Sequence, residues 1–509
     1  MEIQEIISNS FNQKNQRELY HPLYNHPEFV SLVSNSDIKE KVELIIDLIR
    51  QYMSTTNKEQ VKILDVGSAE GYIDFCIKEI LGNKVKITGV ESFEPSVQIS
   101  QLINKEMDWD LEFKLREQNI TNLDFIKTIS DGEYDIVFLF NVLHWTSLQD
   151  GSWQNSRIWL EHLSNKVDVI LLELAGFDKS NETRAPKNYL EWFNNIAFFS
   201  KLKETQHFTG SGKRPFYLAS NKLFYVQDNF KFIESYQITF DGMRRAYRNN
   251  DTILKIVYKT YSQNKYNISF EYCILELKQE MKNAQKGLSF SPDIEYFIDS
   301  KDICLSVLKL KKIGQSLVSI DSNRPKERDR KFLDILNNLI EAEEQSLYHY
   351  DLTLWNIMQD KNGQAFLIDI GAFIGDNIID GGNSILKKIN PQTNCNSFDA
   401  FMGIVWDLLI SRTNTDFLLS KVGFHPISIF FDEEVKIPKN YRNFFKAFQA
   451  SDRKCLSFNY IKQLFIKYVL NKEELLWNQN KEEIYCYHYE KRRSENNNLE
   501  LYTLIKLLK

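Results

Sequence analysis

Two stretches of this chain combine residue types and spacings that could do chemistry. One is Tyr348-His349-Tyr350-Asp351-Leu352-Thr353-Leu354-Trp355-Asn356, followed by Leu367-Ile368-Asp369-Ile370-Gly371. Moving a phosphoryl group from a nucleotide to a hydroxyl needs a carboxylate that accepts the hydroxyl's proton. It also needs oxygen ligands that hold magnesium on the phosphates. His-x-Asp-x-x-x-x-Asn followed by Asp-x-Gly supplies all of these. Asp351 is the expected base, Asn356 and Asp369 the expected metal ligands, and His349 a support for the loop. Upstream, Lys255 fits a strand lysine that contacts the nucleotide's phosphates, and Glu271 on the following helix is its expected partner. A Gly-rich phosphate loop is missing. Asp241-Gly242-Met243-Arg244-Arg245-Ala246-Tyr247-Arg248 stands in its place, which suggests either that arginines contact phosphate directly or that nucleotide affinity is poor.

The second stretch is Asp65-Val66-Gly67-Ser68-Ala69-Glu70-Gly71-Tyr72, at the end of an apolar run and the start of a helical pattern. Glycines at a strand end let the backbone turn and approach a ligand closely. The spacing is Gly-x-x-x-Gly, which disfavours the dinucleotide cofactors served by Gly-x-Gly-x-x-Gly. Glu91 ends the next apolar run, where a carboxylate can accept hydrogen bonds from both hydroxyls of a ribose. A later run ends in Phe140-Asn141-Val142-Leu143-His144-Trp145, bringing polar groups to the same crevice.

These residues need elements to hold them. Apolar runs at 61–66, 84–90, 134–140 and 167–174 alternate with helix-period stretches near 73–81, 95–106 and 153–163. That alternation predicts a parallel, doubly wound α/β sheet. Runs at 216–219 and 223–226 read as an antiparallel hairpin at its edge, closing a first domain over 1–227. Beyond it, strands at 232–240, 252–258 and 303–310 and helices at 265–283 and 331–345 predict a two-lobed α+β domain over 228–440. A helical region occupies 441–509.

Composition sets the outer limits. At roughly 150 residues per domain, 509 residues predict about three domains. Lys and Arg number 63 against 69 Asp and Glu, a net charge of −6 that argues against a protein coating nucleic acid. Six cysteines without CxxC spacing indicate neither a zinc site nor a disulfide framework. The polar N-terminus and the lack of a long apolar run predict no signal peptide and no membrane span, hence a soluble protein of a reducing compartment.

At the glycine loop and its acid, the sequence resembles the class I S-adenosylmethionine methyltransferases. The resemblance implies that Asp65, Gly67, Ser68, Ala69 and Gly71 line the donor's methionine end, that Glu91 holds its ribose, and that Asn119-Ile120 meet adenine. Methyltransferase followed by a kinase-like pattern resembles, up to about Lys472, the bifunctional kinase–methyltransferases that terminate O-antigen polysaccharides of Gram-negative bacteria. Stretches 18–29, 171–175, 214–220, 264–266 and 349–371 carry that likeness. It implies a Rossmann-like methyltransferase, a protein-kinase-like domain and a short helical C-terminal region. The cofactors it implies are S-adenosylmethionine, ATP and Mg2+.

By this resemblance the kinase phosphorylates the terminal, non-reducing sugar of a lipid-linked glycan, and the methyltransferase then methylates that phosphate and caps the chain. Tyr20 would close over the methyl donor, and Lys41 is the nearest match to a basic residue that holds it. A phosphate oxygen is already anionic, so cations that align it matter more than a base. Lys213, Arg214 and His144 are the candidates. The family's long C-terminal coiled coil has no counterpart in the heptads here. Instead Leu501, Leu504, Ile505 and Leu508 form an apolar stripe after Lys491-Arg492-Arg493, suited to the body of the protein, a polymerase partner or a membrane surface. The expected location is cytoplasmic, at the inner face of the inner membrane. The competing reading is a methyltransferase for RNA or a small metabolite, carrying a non-catalytic kinase-like domain.

Overall fold

The computed structural model describes residues 2–11, 19–32, 38–116, 123–143, 153–174, 189–206, 213–238, 244–259, 270–312, 314, 316–317, 325–349, 352, 356–375, 397–410, 439–470 and 472. The chain forms two compact units. One comprises Met1–Asn249 and Tyr258–Tyr266, the other Asn250–Val257 and Asn267–Lys509.

The first unit begins with helices α1 (Glu2–Ser10) and α2 (Lys39–Thr56). Strands and helices then alternate: β1 (Val61–Val66), α3 (Tyr72–Leu81), β2 (Val85–Glu91), α4 (Glu94–Glu106), β3 (Glu112–Leu115), α5 (Leu123–Lys127), β4 (Ile136–Phe140), α6 (Trp153–Lys166) and β5 (Val169–Glu173). Every residue of β4 and β5 is buried, as parallel strands covered on both faces require. Val42, Ile45, Ile46, Ile49 and Tyr52 give α2 one buried stripe at helical spacing.

The sheet is completed by β6 (Phe198–Gln206) and β7 (Lys213–Ser220) in the order β3-β2-β1-β4-β5-β7-β6. The first five strands are parallel, and β7 runs antiparallel to both β5 and β6. The order reverses between β1 and β4, which opens a crevice at the strand ends that carry Asp65-Gly67 and Asn141.

The edge corrects one expectation. The partner of β7 is β6, not the run at 223–226. That run is β8 (Leu223–Val226), and it pairs with β9 (Asn229–Phe232) through Gln227-Asp228, both at positive φ, in a two-residue hairpin. The short connection at 220–222 does not make a hairpin because Ser220 Oγ accepts the amides of Lys222 and Leu223 and turns the chain off the sheet.

Strands β10 (Ser235–Ile238) and β11 (Arg244–Asn249) pair antiparallel. Arg245 of β11 is buried, and its guanidinium donates to the carbonyls of Phe193, Asn194, Ile196 and Ala197. Its donors serve the main chain of its own unit. The expectation that this arginine contacts phosphate is therefore overturned.

The second unit contains β12 (Thr252–Tyr258), α7 (Phe270–Ala284), β13 (Asp293–Asp299) and β14 (Ile303–Lys309), with β14 between β12 and β13. There follow β15 (Ser316–Leu317), α8 (Pro325–Glu344), β16 (Tyr348–His349), β17 (Ile357–Gln359), β18 (Ala365–Leu367) and β19 (Phe373–Ile374). The last helices are α9 (Ser397–Ile410), α10 (Lys439–Ala450) and α11 (Phe458–Tyr468). Phe332, Leu336 and Leu339 of α8 share one core with Phe401 of α9, Phe444 and Phe448 of α10, and Phe465 of α11. Arg328 donates to the Tyr441 hydroxyl, which donates to Asp329, and this buried chain pins α10 to α8.

Candidate functional site

In the first unit the turn after β1 is built around glycine. Gly67 has φ +80°, and a Cβ there would stand 2.6 Å from Val142 Cγ2. The backbone can lie in this crevice only without a side chain. Glu91 ties the loop to the end of β2. Its Oε2 accepts the Ala69 amide at 3.1 Å, and its Oε1 accepts the amides of Ser92 (2.7 Å) and Phe93 (2.9 Å). One acceptor position of Oε2 is left for a hydroxyl.

Asp65 and Asp74 are both fully or nearly buried, at 3% and 0% exposure. Burial drives both carboxyls above their usual range, and their mutual contact adds to this for Asp74. Asp65 Oδ1 has no hydrogen-bond partner within the protein. An unpartnered carboxyl oxygen beside a glycine turn suits a cationic ligand group such as the ammonium of a methionine. The residues present therefore fit S-adenosylmethionine. Glu70 is likewise raised, to about 7, by burial, while Ser96 Oγ donates to it at 2.8 Å.

Across the crevice, Tyr20 is the centre of a second group. Asn141 Nδ2 donates to its hydroxyl at 2.7 Å and Arg214 Nη1 at 3.1 Å. Arg214 is buried on β7. Lys41 is buried too, ion-paired with Glu173 at the end of β5, with its ammonium 3.9 Å from the centre of the Phe140 ring. His21 beside them is held to about 3 by burial and by the charge of Lys41.

In the second unit Lys255, Asn356 and Asp369, three of the residues expected to serve phosphoryl transfer, gather around a hairpin. The Ile368 amide donates to the Asn356 carbonyl at 2.9 Å, where β17 and β18 open, so Asn356 and Asp369 leave the hairpin side by side. Lys255 on β12 meets Glu280 at 2.5 Å and Asp369 at 3.6 Å. Although burial works against its charge, Glu280 and Asp369 together raise the Lys255 ammonium above its usual range. His349 is buried and held to about 4 by desolvation, and its Nε2 donates to the Ile368 carbonyl at 3.3 Å. The amide of Asn356 and the carboxylate of Asp369 are hard oxygen donors at one end of one hairpin, a set that fits magnesium.

The partner of Lys255 corrects the expectation of Glu271. Glu271 is exposed in the first turn of α7, whereas Glu280 lies on the stripe formed with Cys273, Leu277 and Ala284. An acid embedded in an apolar stripe was the available signal. Glu173, His21, Asp74 and Asn283 also escaped the sequence reading, whereas Asn141 was among the polar groups expected at the crevice. Asp351, His144, Asn119 and Ile120 lie outside the described residues. Lys213 begins β7.

A family model for a methyltransferase domain matches residues 57–182. The chain is 22% identical over 382 residues to the O-antigen chain terminator bifunctional methyltransferase/kinase WbdD of Escherichia coli, covering 70% of this chain and 51% of that protein. A second WbdD of Escherichia coli is 23% identical over 380 residues. The chain thus spans about half the length of these curated relatives. A low-resolution structure of WbdD superposes with a TM-score of 0.72 at 18% identity, covering 99% of each chain. A medium-resolution structure of the same bifunctional kinase–methyltransferase gives 0.69 over 96% of this chain and 99% of that one. The chain is homologous to WbdD and shares its architecture: a methyltransferase domain, a kinase-like lobe and a C-terminal helical region.

Proposed function

We propose that this protein phosphorylates the terminal, non-reducing sugar of a lipid-linked polysaccharide and then methylates that phosphate, capping the chain. The observation that supports the reading is that one chain holds two separate clusters of candidate ligand-binding residues. The first is the Asp65–Gly71 turn with Glu91, and the second is Lys255, Asn356 and Asp369 around one hairpin. Homology to a bifunctional chain terminator supports joining them in sequence.

ATP and S-adenosylmethionine supply the phosphoryl and methyl groups, and magnesium supplies charge neutralisation at the phosphates. Asp351 takes the proton of the sugar hydroxyl, while Asn356 and Asp369 hold the metal and Lys255 meets the nucleotide's phosphates. Glu91 orients the ribose, Asp65 the ammonium, and Asn119-Ile120 the adenine of the methyl donor. The acceptor phosphate needs no base, because its oxygen already carries the charge. Arg214, with Lys213 and His144, balances that charge and aligns it. The work divides as methyl transfer over 1–227 and phosphoryl transfer over 228–440. The region 441–509, with the stripe Leu501, Leu504, Ile505 and Leu508, offers contact with a glycosyltransferase or the inner membrane's cytoplasmic face. No helix among the described residues is long and apolar enough to cross a membrane.

Mass spectrometry of a synthetic glycan incubated with ATP, with the methyl donor, and with both tests the reading. ATP alone should add one phosphate, the donor alone nothing, and both a methylated phosphate. Methylation of the glycan without ATP would favour a methyltransferase with a non-catalytic kinase-like domain.

A further inference from the structure

Asp369 occupies the left-handed region, at φ 57° and ψ 58°, at the start of the short turn Ile370–Ala372. A non-glycine residue stays there only when its surroundings hold it. The holder lies on α7. Asn283, wholly buried, donates both hydrogens of its side-chain amide, to the Ile370 carbonyl at 2.7 Å and the Phe373 carbonyl at 2.8 Å. These carbonyls bracket Gly371-Ala372. A flip would set Oδ1 against both carbonyl oxygens, and in the present orientation Oδ1 accepts from Gln279 Nε2 at 2.9 Å, one turn earlier on α7. Helix and turn approach so closely that a Cβ on Gly371 would stand 3.3 Å from the Glu276 carbonyl. The same helix face carries Glu280, the partner of Lys255.

We propose that Asn283 is the positioning residue that fixes the Asp369 turn to α7, and thereby holds Asp369 in the orientation that binds magnesium. The proposal deepens the kinase reading above and rests on it. In this arrangement Lys255, Glu280 and Asp369 are joined by direct contacts through α7 and the turn, and the acid of α7 already meets the lysine. Two donors with two carbonyl partners fill the amide completely, so no apolar or acidic side chain of similar size can replace it.

Calorimetry of ADP binding to the full chain, with and without Mg2+, gives a readout other than turnover. The wild type should bind Mg-ADP more tightly than metal-free ADP. Asn283→Leu and the near-isosteric Asn283→Asp should weaken Mg-ADP binding about tenfold, the worth of roughly one net hydrogen bond at the turn, and leave metal-free ADP within about twofold. Gln279→Leu keeps both donors but leaves Oδ1 without its partner, so the amide is held less firmly. It should move the same ratio by about threefold, and it keeps the test open if the Asn283 variants fail to fold. Folded variants with the wild-type ratio, or with only a lowered melting temperature, would overturn the proposal. A wild type whose ADP binding ignores Mg2+ would overturn the kinase reading and this inference together.

Discussion

Replacing Glu280 by Gln changes one oxygen to an NH2 group and removes one charge from the centre of the second unit. Glu280 is 2% exposed and meets Lys255 at 2.5 Å, while Asp369 stands 3.6 Å from the same ammonium. The glutamine carbonyl can still accept a hydrogen bond, so what is lost is the charge assistance. Charged hydrogen bonds contribute about 1.5–3 kcal/mol against about 1 kcal/mol for neutral ones. Lys255 then has Asp369 as its remaining close carboxylate and competes with magnesium for it. A penalty of about 0.5–2 kcal/mol follows, or roughly a two- to thirtyfold loss in Mg-ATP affinity and in phosphorylation. Glu271→Gln is the matched control. It alters an exposed carboxylate in the first turn of the same helix and should leave both quantities within twofold. Isothermal calorimetry with Mg-ATP and a radiolabelled phosphoryl-transfer assay read the two effects. A neutral Glu280→Gln, or a damaging Glu271→Gln, would refute the assignment of the pair.

Three further outcomes are expected. Gly67→Ala, with its new Cβ 2.6 Å from Val142 Cγ2 at φ +80°, should weaken S-adenosylmethionine binding at least tenfold by calorimetry, and Val142→Ala should recover part of the loss. Lys41→Met strands the buried Glu173 carboxylate and should lower unfolding stability by about 3–5 kcal/mol in urea titrations, whereas Lys41→Met with Glu173→Leu should regain most of it. His21, held to about 3 by burial, stays neutral in the folded protein while the unfolded imidazole takes a proton below about 6.5. Its contribution is therefore complete above pH 6.5 and is lost as pH falls from there toward 3, by up to about 1.4 kcal/mol per pH unit, a slope that His21→Phe should flatten in denaturation curves.

The parallel sheet was legible because buried parallel strands are continuous apolar runs, and β1, β2, β4 and β5 fall within about two residues of their expected limits. β3 and β6 were not. Glu112–Leu115 and Phe198–Gln206 carry polar and charged residues, as strands near a sheet edge do, and neither stands out as an apolar run. The hairpin error at 220–222 came from reading proximity in sequence as pairing, when a Ser220 side chain decided the turn. Candidate site residues at fixed offsets, such as Gly67, Glu91, Asn356 and Asp369, could be named from the sequence because backbone turns impose those offsets. Glu280, Glu173 and Asn283 were not, because their partners come from distant parts of the chain and spacing alone cannot name them.

The central claim is that the product of one site is the substrate of the other. A glycan already phosphorylated at its terminal sugar, given to an Asp351→Asn protein with S-adenosylmethionine and no ATP, tests it most directly. The account predicts a mass gain of one methyl group at the wild-type rate, with none on the unphosphorylated glycan. No methylation of the phosphorylated glycan, in a protein that still binds the methyl donor, would show that the methyl acceptor is not the kinase product.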